Sequence, residues 1–290
     1  MASTRKITIL RYNLLGSEES QIEPTLFNEI LFNEEGQEIE RFNYDTDGEL
    51  EEHITVTMEN GLNVEEILET QGEVSEHTTR SYDEKGRVVA ETRHYAEGGS
   101  DIVSYVYDGD RLMLKHVIDP DGEEGEKEEW EYEGDKIIRE SKHSMFGDIE
   151  SEKSYDYDEN GLLSAITELI YRDETPEKTI LFFDPQGRLE TEKKYDAKGR
   201  LIARTKVEYS ENGKPLSFEE ETTRGTKITK LQYDEKGNNI AQEETDQDGN
   251  RLTSIERSFD DQGRISMVEI VMEPSLYQSG QHYKLEYRYE

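Results

Sequence analysis

The chain contains no cysteine, which removes disulfide staples and thiolate metal or redox sites from consideration. No apolar run approaches the ~18–20 residues of a membrane helix. No long apolar segment follows Met1-Ala2-Ser3-Thr4-Arg5-Lys6, so no secretory leader is read there, and the expectation is a soluble, cytoplasmic protein. Basic residues are scarce: 34 Lys and Arg stand against 69 Asp and Glu, a formal net charge of −35. That balance argues against nucleic-acid or anionic-membrane partners and favours a basic protein partner. Serine-nucleophile elbows, phosphate loops and dinucleotide fingerprints are absent.

What the sequence has in quantity is one turn, repeated. An aromatic residue, a small polar residue, two variable residues and glycine recur at Phe32–Gly36, Tyr44–Gly48, Tyr82–Gly86, Tyr157–Gly161, Phe183–Gly187, Tyr195–Gly199, Tyr209–Gly213, Tyr233–Gly237 and Phe259–Gly263. Turn glycines follow one another at 11 to 14 residues, with one gap filled by Asp173-Glu174-Thr175-Pro176. Without the turn, seven or eight residues remain, which is strand length and too short for an independent helix. A fixed period of this kind decides the architecture before any other argument. Alternate turns resemble each other more than neighbours do, so the unit is about 25 residues, two strands and two turns, as an antiparallel meander requires.

Between turns the side chains alternate. Leu201, Ala203, Thr205, Val207 and Tyr209 share one face; Ile202, Arg204, Lys206 and Glu208 share the other. Glycine supplies the positive φ of the turn, and the preceding Asp or Asn bonds its own backbone two residues on. On this reading the recurring residues are structural: Tyr82, Asp83, Gly86; Tyr157, Asp158, Gly161; Phe183, Gly187; Tyr195, Asp196, Gly199; Tyr233, Asp234, Gly237; and Phe259, Asp260, Gly263. The aromatic is expected to pack over its hairpin end rather than to bind a ligand.

The segments Tyr82-Asp83-Glu84-Lys85-Gly86-Arg87-Val88, Phe183-Asp184-Pro185-Gln186-Gly187-Arg188-Leu189, Tyr195-Asp196-Ala197-Lys198-Gly199-Arg200-Leu201 and Phe259-Asp260-Asp261-Gln262-Gly263-Arg264-Ile265 resemble the YD repeat of bacterial RHS proteins. The resemblance covers roughly residues 30–270. In that family the repeats form a long strand spiral that curls into a hollow shell around a C-terminal toxin. The resemblance implies the strand architecture. No toxin domain or core-closing motif is found in this chain, and Arg after glycine is often replaced, as at Glu49, Lys214 and Asn238.

The expected fold is all-β: an elongated antiparallel meander of about ten two-stranded repeats, forming an open curved or superhelical sheet. Residues 1–31 are read as N-terminal capping strands, 32–270 as the repeat sheet and 271–290 as a C-terminal capping strand, in one continuous domain.

The search for chemistry returns little. His53, His77, His94, His116, His143 and His282 are scattered, with no HExxH motif. The turns Asp45-Thr46-Asp47-Gly48, Asp119-Pro120-Asp121-Gly122 and Asp246-Gln247-Asp248-Gly249 suggest weak calcium binding, but the EF-hand spacing fails, since Arg257 stands where Glu is needed. No catalytic, cofactor or metal residues are assigned. The candidate partner-binding residues are Trp130, the only tryptophan, and Tyr283, Tyr287 and Tyr289, which share one face of the C-terminal segment. The functional expectation is a non-catalytic binding or scaffolding module, a chaperone-like or immunity-like cradle for a basic protein. Self-assembly through open sheet edges and a hydrolase with its site in the sheet hollow are the alternatives.

Overall fold

The computed structural model describes residues 5–14, 23–96, 98–172, 175–275 and 279–290. Asp173 and Glu174 of the atypical turn lie outside the described residues, as do 1–4 and 15–22 of the expected N-terminal cap. Among the described residues, twenty-two strands run from β1 (Lys6–Asn13) to β22 (Gln281–Tyr289), each antiparallel to the next.

Each long turn is built alike. At Asp83 the backbone N–H donates to Arg87 O (2.9 Å), Gly86 N–H donates to Asp83 O (2.9 Å), and Gly86 adopts φ +77°. This is a type I turn closed by a left-handed glycine bulge, and the strand register slips by one residue beside it, between Ser81 and Tyr82. Two of the shortest hairpins instead use two left-handed residues, Asn60 (φ 51°) with Gly61 (φ 79°) and Gln71 (φ 54°) with Gly72 (φ 81°). Turns alternate between two ends of the sheet, so the two families of turn in the sequence form two separate rims.

The open sheet expected from the sequence is not what forms. β1 pairs with β22 over seven positions, from Ile7↔Tyr289 to Asn13↔Tyr283, and the ring closes into a 22-stranded barrel. Arg5 N–H donates to Glu290 O, and Glu290 N–H to Lys6 O. The two segments read as caps are therefore partners. An open sheet would leave two rows of backbone N–H and C=O groups unpaired; here each satisfies the other. Apolar side chains reinforce the seam: Ile9, Leu285 and Val268 are buried together, with Ile7, Phe27, Ile255, Tyr283 and Tyr287 packed on them.

The barrel is hollow. Among the described residues, every strand touches only its two neighbours in the ring. The solvent-accessible surface is 18903 Å², whereas a compact 33.7 kDa monomer exposes about 13,000 Å². The excess is the second face of the wall. Following the strand registers once around the ring displaces the path along β1 by about 20 residues, which corresponds to a tilt of roughly 30° and a backbone radius of about 20 Å. Strands tilt as right-handed helices, so the sense of this displacement fixes which face is inside. It is the face of Ala203, Thr205, Val207 and Tyr209, and of Tyr283, Leu285 and Tyr287. The five buried apolar residues, Ile9, Val103, Val207, Val268 and Leu285, all lie on it, as expected where side chains converge.

Candidate functional site: the lumen wall and its tyrosine rim

One rim carries the turns beginning at Asn33, Asp83, Asp158, Asp184, Ser210, Asp234 and Asp260, together with both chain ends. Here the repeat residues interlock. The Asp carboxylate holds its own turn: Asp83 Oδ1 accepts from Lys85 N–H (2.9 Å) and Arg87 N–H (3.0 Å), and Oδ2 accepts from Arg87 Nε (2.7 Å). Asp184 and Asp260 repeat this with Arg188 and Arg264, as Asp196 does with Arg200 on the opposite rim. Backbone donors lead in holding Asp83 and Asp158 below the usual carboxylate range, and the Arg200 side chain leads at Asp196.

The tyrosine of each hairpin reaches back to the preceding strand. Tyr157 OH donates to Ile137 O (2.8 Å), Tyr209 OH to Leu189 O (2.8 Å), Tyr233 OH to Pro215 O (2.9 Å) and Tyr289 OH to Ile265 O (2.8 Å). Tyr82 and Tyr107 do the same to Asn63 O and Val88 O. The cation after the turn glycine reaches forward onto the next ring. Arg87 lies 4.3 Å from the Tyr107 centroid, Arg188 4.4 Å from Tyr209, Lys214 5.0 Å from Tyr233 and Arg264 4.0 Å from Tyr289. Lys214 Nζ also donates to the turn carbonyl of Gly237 (2.7 Å). The sequence shows that these residues recur; it does not show that each serves the neighbouring repeat.

At the opposite rim the turns are less regular. Tyr195 and its Asp196-Gly199 turn sit here, with Lys178 4.7 Å over the Tyr195 ring. The calcium-like turns are here too, and their first carboxylates are engaged in the turn itself. Asp45, Asp119 and Asp246 each accept two backbone N–H groups at 2.8–3.0 Å. Among the described residues no group of three or more His, Asp or Glu is placed to hold a metal ion. Met145 and Phe146 project from a turn tip, 59% and 83% exposed.

The inner wall interleaves aromatics with ion pairs. Arg80 meets Glu66 and Glu91, Lys115 meets Glu128, Lys153 lies between Glu140 and Glu168, and Lys227 meets Glu244. Trp130 is on this face in β10 (Glu124–Glu133), opposite Glu140, whose carboxylate accepts from Tyr155 OH at 2.9 Å. Burial and this carboxylate raise the Tyr155 phenol. Tyr283, Tyr287 and Tyr289 also face the lumen. They sit within the closed seam, not at a free edge.

The outer wall is charged along its mid-strand positions, with apolar residues such as Ile102, Val106 and Ile202 exposed among them. All six histidines are on it. His53 stacks on Phe42 (4.3 Å, 6°) between Glu40 and Glu69; His77 and His94 face each other across two strands at 4.5 Å. Charged residues such as Glu65, Arg139, Glu152, Arg204, Glu221, Glu243 and Glu256 occupy mid-strand positions there. A concavity of about 720 Å³ between Thr191, Lys206, Ser217, Ile228 and Lys230 interrupts this face.

No family model matches the chain, and no curated protein matches it. Among solved structures, the Tc holotoxin pore of Photorhabdus luminescens is similar at 15% identity with a TM-score of 0.36 over 90% of this chain, which spans 15% of that chain. The TcdB2-TccC3 structure is similar at 13% identity with a TM-score of 0.26, over 96% of this chain and 22% of that one. A porin-like protein from Bacteroides uniformis is similar at 10% identity with a TM-score of 0.33, over 99% and 98% of the two chains. Tc toxin components are thus among the structures similar to this chain. Identities and scores this low leave the YD-repeat relationship resting on the motif residues themselves.

Proposed function

We propose that this chain is a YD-repeat-related hollow holder, non-catalytic, that takes a basic polypeptide at its mouth and in its lumen. The observation that carries this reading is the hollow interior: a closed wall with about 6,000 Å² more surface than a compact monomer of its mass exposes. The wall offers Trp130, Tyr155, Tyr283 and Tyr287, residue types that make contact area at low entropic cost. Its mid-strand charges are largely paired with one another, so the acidic excess falls elsewhere. Both mouths carry exposed turn carboxylates, among them Glu34, Glu35, Asp47, Asp121, Glu159, Glu211 and Glu235. This arrangement draws in a basic chain by its charge and holds it by aromatic contact.

Two other readings find less support. A lipid-spanning barrel needs an apolar outer band about 25 Å tall, and the mid-strand charges of the outer wall occupy the place of that band. Assembly through sheet edges needs an unpaired strand, and the β1–β22 seam leaves none among the described residues.

The test is affinity capture from the source cell's lysate with washes at low and then high salt. The expected result is a basic protein released by salt, and retained less well by a variant with Glu159, Glu211 and Glu235 changed to Gln. Recovery of the chain alone would sink the proposal.

A further inference from the structure

Two arginines on the lumen wall have no carboxylate partner, in a chain where acidic residues outnumber basic ones two to one. Arg257 donates to the side-chain oxygen of Asn239 at 2.6 Å. Arg11 has no side-chain hydrogen bond or ion pair among the described residues; its guanidinium lies over the rings of Tyr283 (4.3 Å) and Phe27 (5.9 Å). Other mid-strand cations of the wall, Arg80, Lys115, Lys153 and Lys227, each meet at least one carboxylate.

The register brings the two arginines into one row. Arg257 pairs with Val268, Val268 with Leu285, and Leu285 with Arg11. Three strand spacings separate them, about 14 Å of backbone. Between them lies the most apolar part of the wall: buried Val268, Leu285 and Ile9, with Ile255, Ile270 and Tyr287 around them. A guanidinium stacked on an aromatic ring is held in place while its edge donors stay free, and it is more weakly hydrated than an ammonium.

We infer that this stretch of the lumen wall is a binding site for an amphipathic anion, a molecule with an apolar body and a carboxylate or phosphate head. The head takes the donors of Arg11 or Arg257, and the body lies along the apolar strip between them. The strong negative charge of the whole chain repels small free anions, so the apolar body is what makes uptake selective. The site stands independently of the polypeptide-holder reading.

The experiment is calorimetric titration of the full chain with dodecanoate, dodecyl phosphate and, as the cationic control, dodecyltrimethylammonium, all below their micellar concentrations. One equivalent of dodecanoate or dodecyl phosphate should bind, and the preferred head distinguishes a fatty acid from a phosphate ester as the natural class. Arg11→Gln with Arg257→Gln should weaken binding about tenfold or more without moving the melting temperature much. Should the double variant not fold, Arg257→Gln alone carries the test, because its hydrogen bond to Asn239 lies outside the β1–β22 seam. Equal uptake of the cationic control, binding unchanged by the arginine variants, or no binding by the wild type would each overturn the assignment.

Discussion

Tyr209 is held from two sides: its hydroxyl donates to Leu189 O, and Arg188 of the preceding turn lies over its ring. This pairing runs through the chain as a correlation between neighbouring repeats. Where a turn glycine is followed by a cation, as at Arg87, Arg188, Lys214 and Arg264, or carries one two places on, at Arg111 and Lys136, the next rim aromatic is tyrosine. Where Leu162 or Asn238 follows the glycine, the next aromatic is Phe183 or Phe259. Tyr82, preceded by Leu62, is the exception. Tyr209→Phe keeps the ring and removes one partly buried hydrogen bond, which costs about 0.5–1.5 kcal/mol. Lys214→Ala removes the cation from Tyr233 and costs about 0.5–1 kcal/mol. Chemical denaturation reads both, and losses indistinguishable from zero would reduce the rim lattice to coincidence of geometry.

The turn aspartates set a pH dependence at the same scale. Asp83 and Asp158 have their folded-state pKa lowered first by backbone N–H donors, joined at Asp83 by the Arg87 side chain, and Asp196 first by the Arg200 side chain and then by backbone donors. A lowered folded pKa means stabilisation that is complete above the ordinary aspartate value of about 4 and is lost as pH falls through the lower, folded values. Thermal melting followed downward from pH 7 in high salt, which screens the self-repulsion of the surface, should stay level and then drop in that acid window. Asp196→Asn, which keeps the shape but not the charge, should show a smaller drop. A melting temperature that rises throughout acidification would contradict this account.

At the scale of the element, the seam is the joint on which closure depends. Strand length, alternation and turn positions were legible in residues 32–270, because each is decided within a dozen residues by glycine, aspartate and period-two patterning. The pairing of β1 with β22 was not, because it joins segments about 280 residues apart and nothing local in Ile7-Thr8-Ile9-Leu10 or Tyr287-Arg288-Tyr289 names the partner. Nor was the inner face legible: with charges on both faces, alternation gives two sides without ranking them, and in β15 (Leu189–Tyr195) Tyr195 points outward. Leu285→Ala empties a buried site and should cost about 2–5 kcal/mol. Ile9→Pro should do more, because β1 then lacks a backbone donor and cannot keep its dihedral angles beside both neighbours. Hydrogen exchange should show β1 and β22 losing protection before the mid-barrel hairpins. Uniform loss across all strands would mean that the seam is not the weak joint.

For the whole molecule, closure converts a chain too polar for a compact core into a folded one. Among the described residues only five apolar ones are buried, so the wall is held by its ladder hydrogen bonds, its ion pairs and the rim lattice, each of modest worth and each repeated around the ring. A structure of this kind has a definite solution signature. Small-angle scattering at moderate ionic strength should give a radius of gyration well above the roughly 19 Å of a compact 290-residue domain, with the depressed central density of a hollow cylinder. Mouth carboxylates repel one another most at low salt, yet the continuous run of hairpins, closed by the β1–β22 seam, fixes the circumference. The scattering profile should therefore change little between low and high salt in the wild type. In Ile9→Pro the same comparison should reveal expansion at low salt, where an opened wall is free to unroll under its own charge. A wild type that expands as salt is removed would mean that charge, and not the seam, sets the shape.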